Sequence, residues 1–124
     1  DGEMQEGQVW EAAMAANYHS VGNLKVMIDR NRIQNDDFLE VQMEVGDIAA
    51  KLLSFGWVVR EIDGHSMPEI VDALKWAAEI NDGPCAIVAH TVKGKGVSFM
   101  ENNPSFHGKA PTDDEFVIAM EELR

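Results

Sequence analysis

The sequence predicts an α/β fold, a parallel sheet with helices on both faces. Two observations carry this. Segments with helical periodicity alternate with short apolar runs along the chain. Those runs are mainly apolar and lack strict alternation with polar residues, as strands are when both faces are buried. The size agrees: 124 residues, 45% hydrophobic and 26% charged, suit one folded domain with one ordinary core.

The elements follow in order. Residues 6–18 read as a helix, with Trp10, Met14 and Tyr18 on one stripe and Val9, Ala13 and Ala16 on the next. Residues 24–28 form a first apolar strand, and the polar residues 29–38 read as a loop. Val45, Ile48, Ala49 and Leu52 mark a second helix, stopped by Gly56, and residues 57–62 a second strand. Ser66 and Glu69 have the spacing of a capping box around Pro68, and Ile70, Ala73, Leu74 and Ala77 line one face of the helix that follows. Asn81, Asp82, Gly83 and Pro84 end that helix, and residues 85–89 form a third strand. A Gly-, Lys- and Asn-rich stretch covers 91–111. Thr112 and Glu115 then open a last helix with Phe116, Met120 and Leu123 on its apolar face.

The charge balance excludes some functions. Ten Lys and Arg stand against 22 Asp and Glu, a net charge of −12, so no general nucleic-acid binding is expected. No apolar run approaches the roughly 20 residues that span a bilayer, so no membrane partner is expected. The lone Cys85 lies in an apolar strand and reads as a small core residue, in a composition suited to a reducing cytoplasm. The first residues are Asp1-Gly2 with no initiator Met, which leads us to expect a piece of a longer protein.

Dinucleotide and phosphate-loop glycine motifs and zinc spacings are absent. Two features remain. Asp1 precedes the first helix and Asn31 follows the next strand, 30 residues on. A strand–helix–strand path of that length returns the chain to the same sheet edge, bringing a carboxylate and an amide carbonyl together. Such hard oxygens suit Mg²⁺ or Ca²⁺, although Asp and Asn at loop starts also serve as caps and turn formers. Residues 90–109 reverse the local charge, with His90, Lys93, Lys95, His107 and Lys109 against Glu101 alone. That stretch is either an anion pocket or a solvated glycine-rich loop. Together the two features suggest a phosphate group bridged by a divalent ion.

The residues Asp1-Gly2-Glu3-Met4-Gln5-Glu6-Gly7, then Trp10-Glu11-Ala12-Ala13, then Asp29-Arg30-Asn31 resemble the thiamine-diphosphate motif, GDG followed some thirty residues later by N. Phe55-Gly56-Trp57, Asp63-Gly64-His65, the run from His90 to Glu101 and the run from Phe106 to Pro111 resemble transketolases, most closely the thiamine-binding subunit of the split, two-chain type. The resemblance covers nearly the whole chain. It implies that residues 1–124 are the diphosphate- and Mg²⁺-binding domain, in the thiamine-diphosphate-binding fold and truncated at the N-terminus. Asp1, the Asn31 side chain and the Ile33 carbonyl would hold Mg²⁺. Gly2, Asn31, Ile33, Lys93, His107 and Lys109 would contact or lie near the cofactor, with Gly2 at the start of a helix whose dipole favours anions. Glu6 matches a glutamate of the dimer interface that links two active sites, and otherwise reads as a first-turn helix acid.

Asn35 stands where many relatives place an apolar residue against the thiazolium ring, and Asp36-Asp37 replaces a more usual Asp-Gly. The catalytic glutamate that touches the aminopyrimidine would come from the pyrimidine-binding domain or a C-terminal transketolase subunit. A homo- or hetero-oligomer acting on sugar phosphates is therefore expected, with the isolated chain inactive. The 90–111 stretch is expected to be poorly tied down without diphosphate. A rival of another class is a non-catalytic acidic α/β domain binding a divalent metal or a protein partner.

Overall fold

The computed structural model describes residues 1–124. A 3-10 turn, Gly2–Gln5, leads into α1, Gly7–Tyr18. Then come β1 (Lys25–Arg30), β2 (Ile33–Gln34), β3 (Asp37–Phe38), α2 (Leu39–Gln42) and α3 (Ile48–Ser54). The chain continues through β4 (Val58–Asp63), α4 (Met67–Glu79), β5 (Cys85–His90), a second 3-10 turn (Pro104–Phe106) and α5 (Asp113–Glu122).

The main sheet has the order β1-β5-β4, with both pairings parallel. β5 is the central strand and the most apolar one, buried from Cys85 to Ala89. Its pleat sends alternate side chains into two cores. Ala86 and Val88 join Ile28, Ala13, Ala16, Ile48, Ala49, Leu52 and Trp57 on the face covered by α1 and α3. Cys85, Ile87 and Ala89 join Ile62, Ala73 and Ala77 on the face covered by α4. Each fully buried Ile, Leu or Val on these faces contributes about 1.5–3 kcal/mol. The Trp57 indole N–H donates to the Ala13 carbonyl at 2.8 Å, so the largest core side chain also satisfies its polar atom and pins α1 to the start of β4.

Register positions the functional end. Arg30 of β1 pairs with His90 of β5, which pairs with Asp63 of β4, so all three strands finish at one edge. Loops at the carboxyl ends of parallel strands are where ligands bind in such folds.

Several local expectations change. The polar 29–38 region is not all loop: β1 runs on to Arg30, and β2 and β3 form a small antiparallel hairpin. Asn35 opens its two-residue turn at φ 43°, a left-handed conformation that Asn tolerates far better than an apolar β-branched residue. Ser66 makes no side-chain cap; Glu69 turns instead to the Asp63 N–H at 2.9 Å. The Thr112–Glu115 capping box is present. Of the two α1 stripes, Ala13 and Ala16 are buried whereas Met14 and Tyr18 are exposed. Phe116, Met120 and Leu123 of α5 are exposed as well, and only Ala119 is buried there. No helix is long and apolar enough to cross a membrane.

The 91–111 stretch carries its own organisation. Backbone bonds run from Lys95 to Val92, from Val97 to Gly94 and from Met100 to Val97, and Val97 is buried. The Glu122 carboxylate takes the Ser98 hydroxyl and N–H, both at 2.6 Å, tying the loop to α5. Local turns and a carboxylate thus give this stretch contacts that do not involve a diphosphate.

Candidate functional site

At the carboxyl edge of β1 lies a cleft of about 420 Å³ whose lining includes Asp1, Gly2, Glu6, Asn31, Ile33 and His107. Asp29 and Asn35 also face it. The path predicted from spacing is the one the chain takes: α1 carries it across the sheet and β1 brings it back, so Asp1 and Asn31 share one cleft. Lys93 and Lys109 lie outside this lining. Lys109 sits over the Phe106 ring, 5.2 Å from its centroid.

Asp1 is fixed from two sides. Its Oδ2 accepts from the Arg32 N–H at 2.7 Å and from the Arg30 guanidinium at 3.3 Å. The side chain is only 1% exposed, yet its Oδ1 has no hydrogen-bond partner. A buried, unpaired carboxylate oxygen is costly and calls for an unseen cation or donor. The Asp1 backbone nitrogen donates to the Asp29 carbonyl at 2.8 Å. Arg30 in turn reaches Glu44 at 3.0 Å and the Gly46 carbonyl at 3.4 Å.

Asn31 is held at both ends of its amide. Its Nδ2 donates to Asp29 Oδ2 at 3.1 Å, and its Oδ1 accepts from the Ile33 N–H at 2.9 Å, leaving that oxygen a second lone pair. Gly2 is required sterically, since a Cβ there would lie 2.9 Å from the Gln34 side chain. The turn it opens is not continuous with α1, because Glu6 is extended (φ −72°, ψ 123°) between them. Glu6 is thus the residue before α1, exposed and without a side-chain cap, rather than a first-turn acid. The helix dipole expected at Gly2 belongs instead to Gly7.

The lining brings four carboxylates, Asp1, Glu3, Glu6 and Asp29, to one histidine, His107. Alone that field repels an anionic diphosphate; a divalent cation offsets it. Elsewhere the basic stretch is dispersed. His90 pairs with Glu61 at 2.7 Å and Lys95 with Glu101 at 3.6 Å. The His65 Nε2 accepts from the Val92 N–H at 2.7 Å, which fastens the start of the loop to the β4–α4 turn.

Comparison with known proteins decides the family. The family model described as the thiamine diphosphate binding domain of transketolase matches residues 1–123. The chain belongs to this transketolase family. It is 37% identical over 123 residues to one of the subunits of the apulose-4-phosphate transketolase of Phocaeicola vulgatus, covering 99% of this chain and 44% of that protein. Human transketolase is 36% identical over 109 residues, covering 88% of this chain and 17% of that protein. The chain therefore spans less than half the length of these curated relatives. Among solved structures, transketolase from Campylobacter jejuni superposes with a TM-score of 0.88 at 29% identity, over 98% of this chain and 19% of that one.

The donor set fits the hard divalent cation that a transketolase domain of this kind implies. Asp1 Oδ1 is free of protein partners, the Asn31 amide oxygen has one lone pair left, and the donors are oxygens throughout. Sequence reasoning missed Arg30 and Asp29 as parts of the site. Arg30 sits inside the matched Asp29-Arg30-Asn31 motif, but nothing local signals that it bridges Asp1 to Glu44. Asp29 sits inside the matched motif, but its role depends on a loop 62 residues away.

Proposed function

We propose that this chain is the part of a transketolase that anchors Mg²⁺ and the diphosphate of thiamine diphosphate, residues 1–124 forming one binding domain. The parent reaction transfers a two-carbon ketol unit between sugar phosphates. When bound, thiamine diphosphate supplies electron-sink chemistry for breaking a carbon–carbon bond beside a carbonyl. The observation that carries the reading is the buried Asp1 Oδ1, without a hydrogen-bond partner, on a residue that lines the same cleft as Asn31 and Ile33. Asp1, the Asn31 side chain and the Ile33 carbonyl hold the metal. Gly2 lets the backbone approach the diphosphate, and His107 donates to it. Lys93 and Lys109 add positive charge nearby and reach the cofactor only by moving toward the cleft.

The remainder of the active site comes from a pyrimidine-binding domain or a second transketolase subunit in a homo- or hetero-oligomer, with Glu6 at that interface. Relatives whose names mark them as one subunit of a transketolase support a two-chain arrangement. The enzyme works in the cytoplasm, and this chain alone is inactive. Calorimetry tests the reading: the assembled enzyme should bind thiamine diphosphate with Mg²⁺ tightly, and either one alone weakly. Asp1→Ala and Asn31→Ala should each remove most cofactor affinity. Metal binding indifferent to thiamine diphosphate would mean an acidic metal-binding domain instead.

A further inference from the structure

We infer that Asp29 and Thr91 are positioning residues that set which end of the Asn31 amide faces the cleft. This rests on the reading of Asn31 as a metal-holding residue. An Asn amide is nearly symmetric in shape, so only its partners distinguish oxygen from nitrogen. Here they do so at both ends. The Asp29 carboxylate accepts from Nδ2, and the Ile33 N–H donates to Oδ1. A turned amide would set oxygen against carboxylate and NH₂ against N–H, two mismatches at once, and would offer hydrogens to a cation.

Asp29 is held in its turn. Its Oδ1 accepts from the Thr91 hydroxyl, while its Oδ2 takes Asn31. The fold explains why a residue so distant in sequence arrives there. Arg30 pairs with His90 in the β1–β5 ladder, and the Thr91 N–H extends that ladder to the Arg30 carbonyl at 3.4 Å. On the other side, His65 fixes Val92. Gly64 permits this closeness, since a Cβ there would meet the Thr91 methyl at 2.4 Å. A chain of contacts thus runs from the β4–α4 turn through Thr91 and Asp29 to Asn31. Second partners of this kind typically change metal affinity 10–100-fold.

The test is Mn²⁺ titration followed by electron paramagnetic resonance, on the assembled enzyme with thiamine diphosphate. Asp29→Ala should weaken Mn²⁺ binding roughly 10–100-fold. Asp29→Asn should stay near the unsubstituted affinity, because its oxygen accepts from Asn31 while its NH₂ donates to the Thr91 hydroxyl. Thr91→Val should weaken binding in the same direction by less, and Thr91→Ser should restore it. Unchanged affinity in Asp29→Ala overturns the inference. So does an Asp29→Asn loss as large as that of Asp29→Ala, which would make charge the cause. Should Asp29→Ala fail to fold, the pair Asp29→Asn and Thr91→Val decides, and any pattern except retained and weakened refutes it. Asp1→Ala is the control: if it too leaves Mn²⁺ affinity intact, the metal site itself has been misread.

Discussion

Replacing Asp1 by alanine separates its structural job from the ligand role proposed for it. Without metal, the carboxylate accepts from the Arg32 N–H at 2.7 Å and from Arg30 at 3.3 Å. Truncation removes the acceptor of the Arg32 N–H, and because Arg32 is exposed water can take its place, so the loss is that of one ordinary hydrogen bond, about 0.5–1.5 kcal/mol. Arg30 keeps Glu44 and the Gly46 carbonyl, so its loss is small. Removing the unpaired Oδ1 gives something back. The net is about 0.5–1.5 kcal/mol of destabilisation, or roughly 2–8 °C in Tm for a domain of this size. Asp1→Asn keeps an oxygen for Arg32 and should lose less. Circular dichroism melts without cofactor measure both. Adding Mg²⁺ and thiamine diphosphate should then raise the Tm of the unsubstituted protein, since ligands that bind only the folded state stabilise it, and raise that of neither variant. An Asp1→Ala protein melting at the unsubstituted temperature would refute the structural half. An equal ligand-induced shift in all three would refute the ligand half.

Three further outcomes are expected. Glu44, Glu101, Glu115 and Glu122 are all held below the usual carboxylate range, by the Arg30 guanidinium, the Gly96 N–H, the Thr112 N–H and hydroxyl, and the Ser98 hydroxyl and N–H respectively. Their stabilisation is therefore complete above about pH 4.3 and drains away as pH falls toward the lowered values; urea midpoints at pH 7, 5 and 3 should drop only at the last, and Glu122→Gln should flatten that drop. Gly22→Ala would put a Cβ 1.8 Å from the Asn81 carbonyl oxygen, so denaturant unfolding should show a loss of about 3 kcal/mol, the upper end for overpacking. β1 pairs on one side only, and Leu24 and Met27, just before it and within it, are exposed; the chain alone should self-associate through that edge, and a clean monomer by light scattering at high concentration would contradict this.

How far the sequence could be read depended on how local the deciding contacts were. The 85–89 run declares a doubly buried strand by itself, because no position in it tolerates water. The Asp1–Asn31 spacing foretold convergence, since one helix and one strand fix the return distance. The Glu69 half of the predicted capping box failed because its carboxylate takes the Asp63 N–H, while the Ser66 N–H donates to the Asp63 carbonyl. The α5 stripe of Phe116, Met120 and Leu123 has a helical period, but periodicity says which residues share a face, not whether another surface covers it. The charge over 90–109 is also set partly by contacts that the sequence does not show: Glu61 lies far back in sequence yet takes His90, and Lys95 pairs with Glu101.

The strand order has a consequence for how the molecule comes into being. β1 and β4 lie on opposite sides of β5, and Lys25 waits for Cys85, 60 residues further along, before its ladder exists. During synthesis β1 and β4 leave the ribosome with no partner between them, and β5 is the strand that joins them. Sheet assembly is then a late, non-local closure, slow for its size. At roughly 5–20 residues per second the nascent chain spends several seconds with both edges open. The side chains of Ala86, Ile87 and Val88 therefore bear on whether this protein survives its own translation, as well as on how stable it is afterwards.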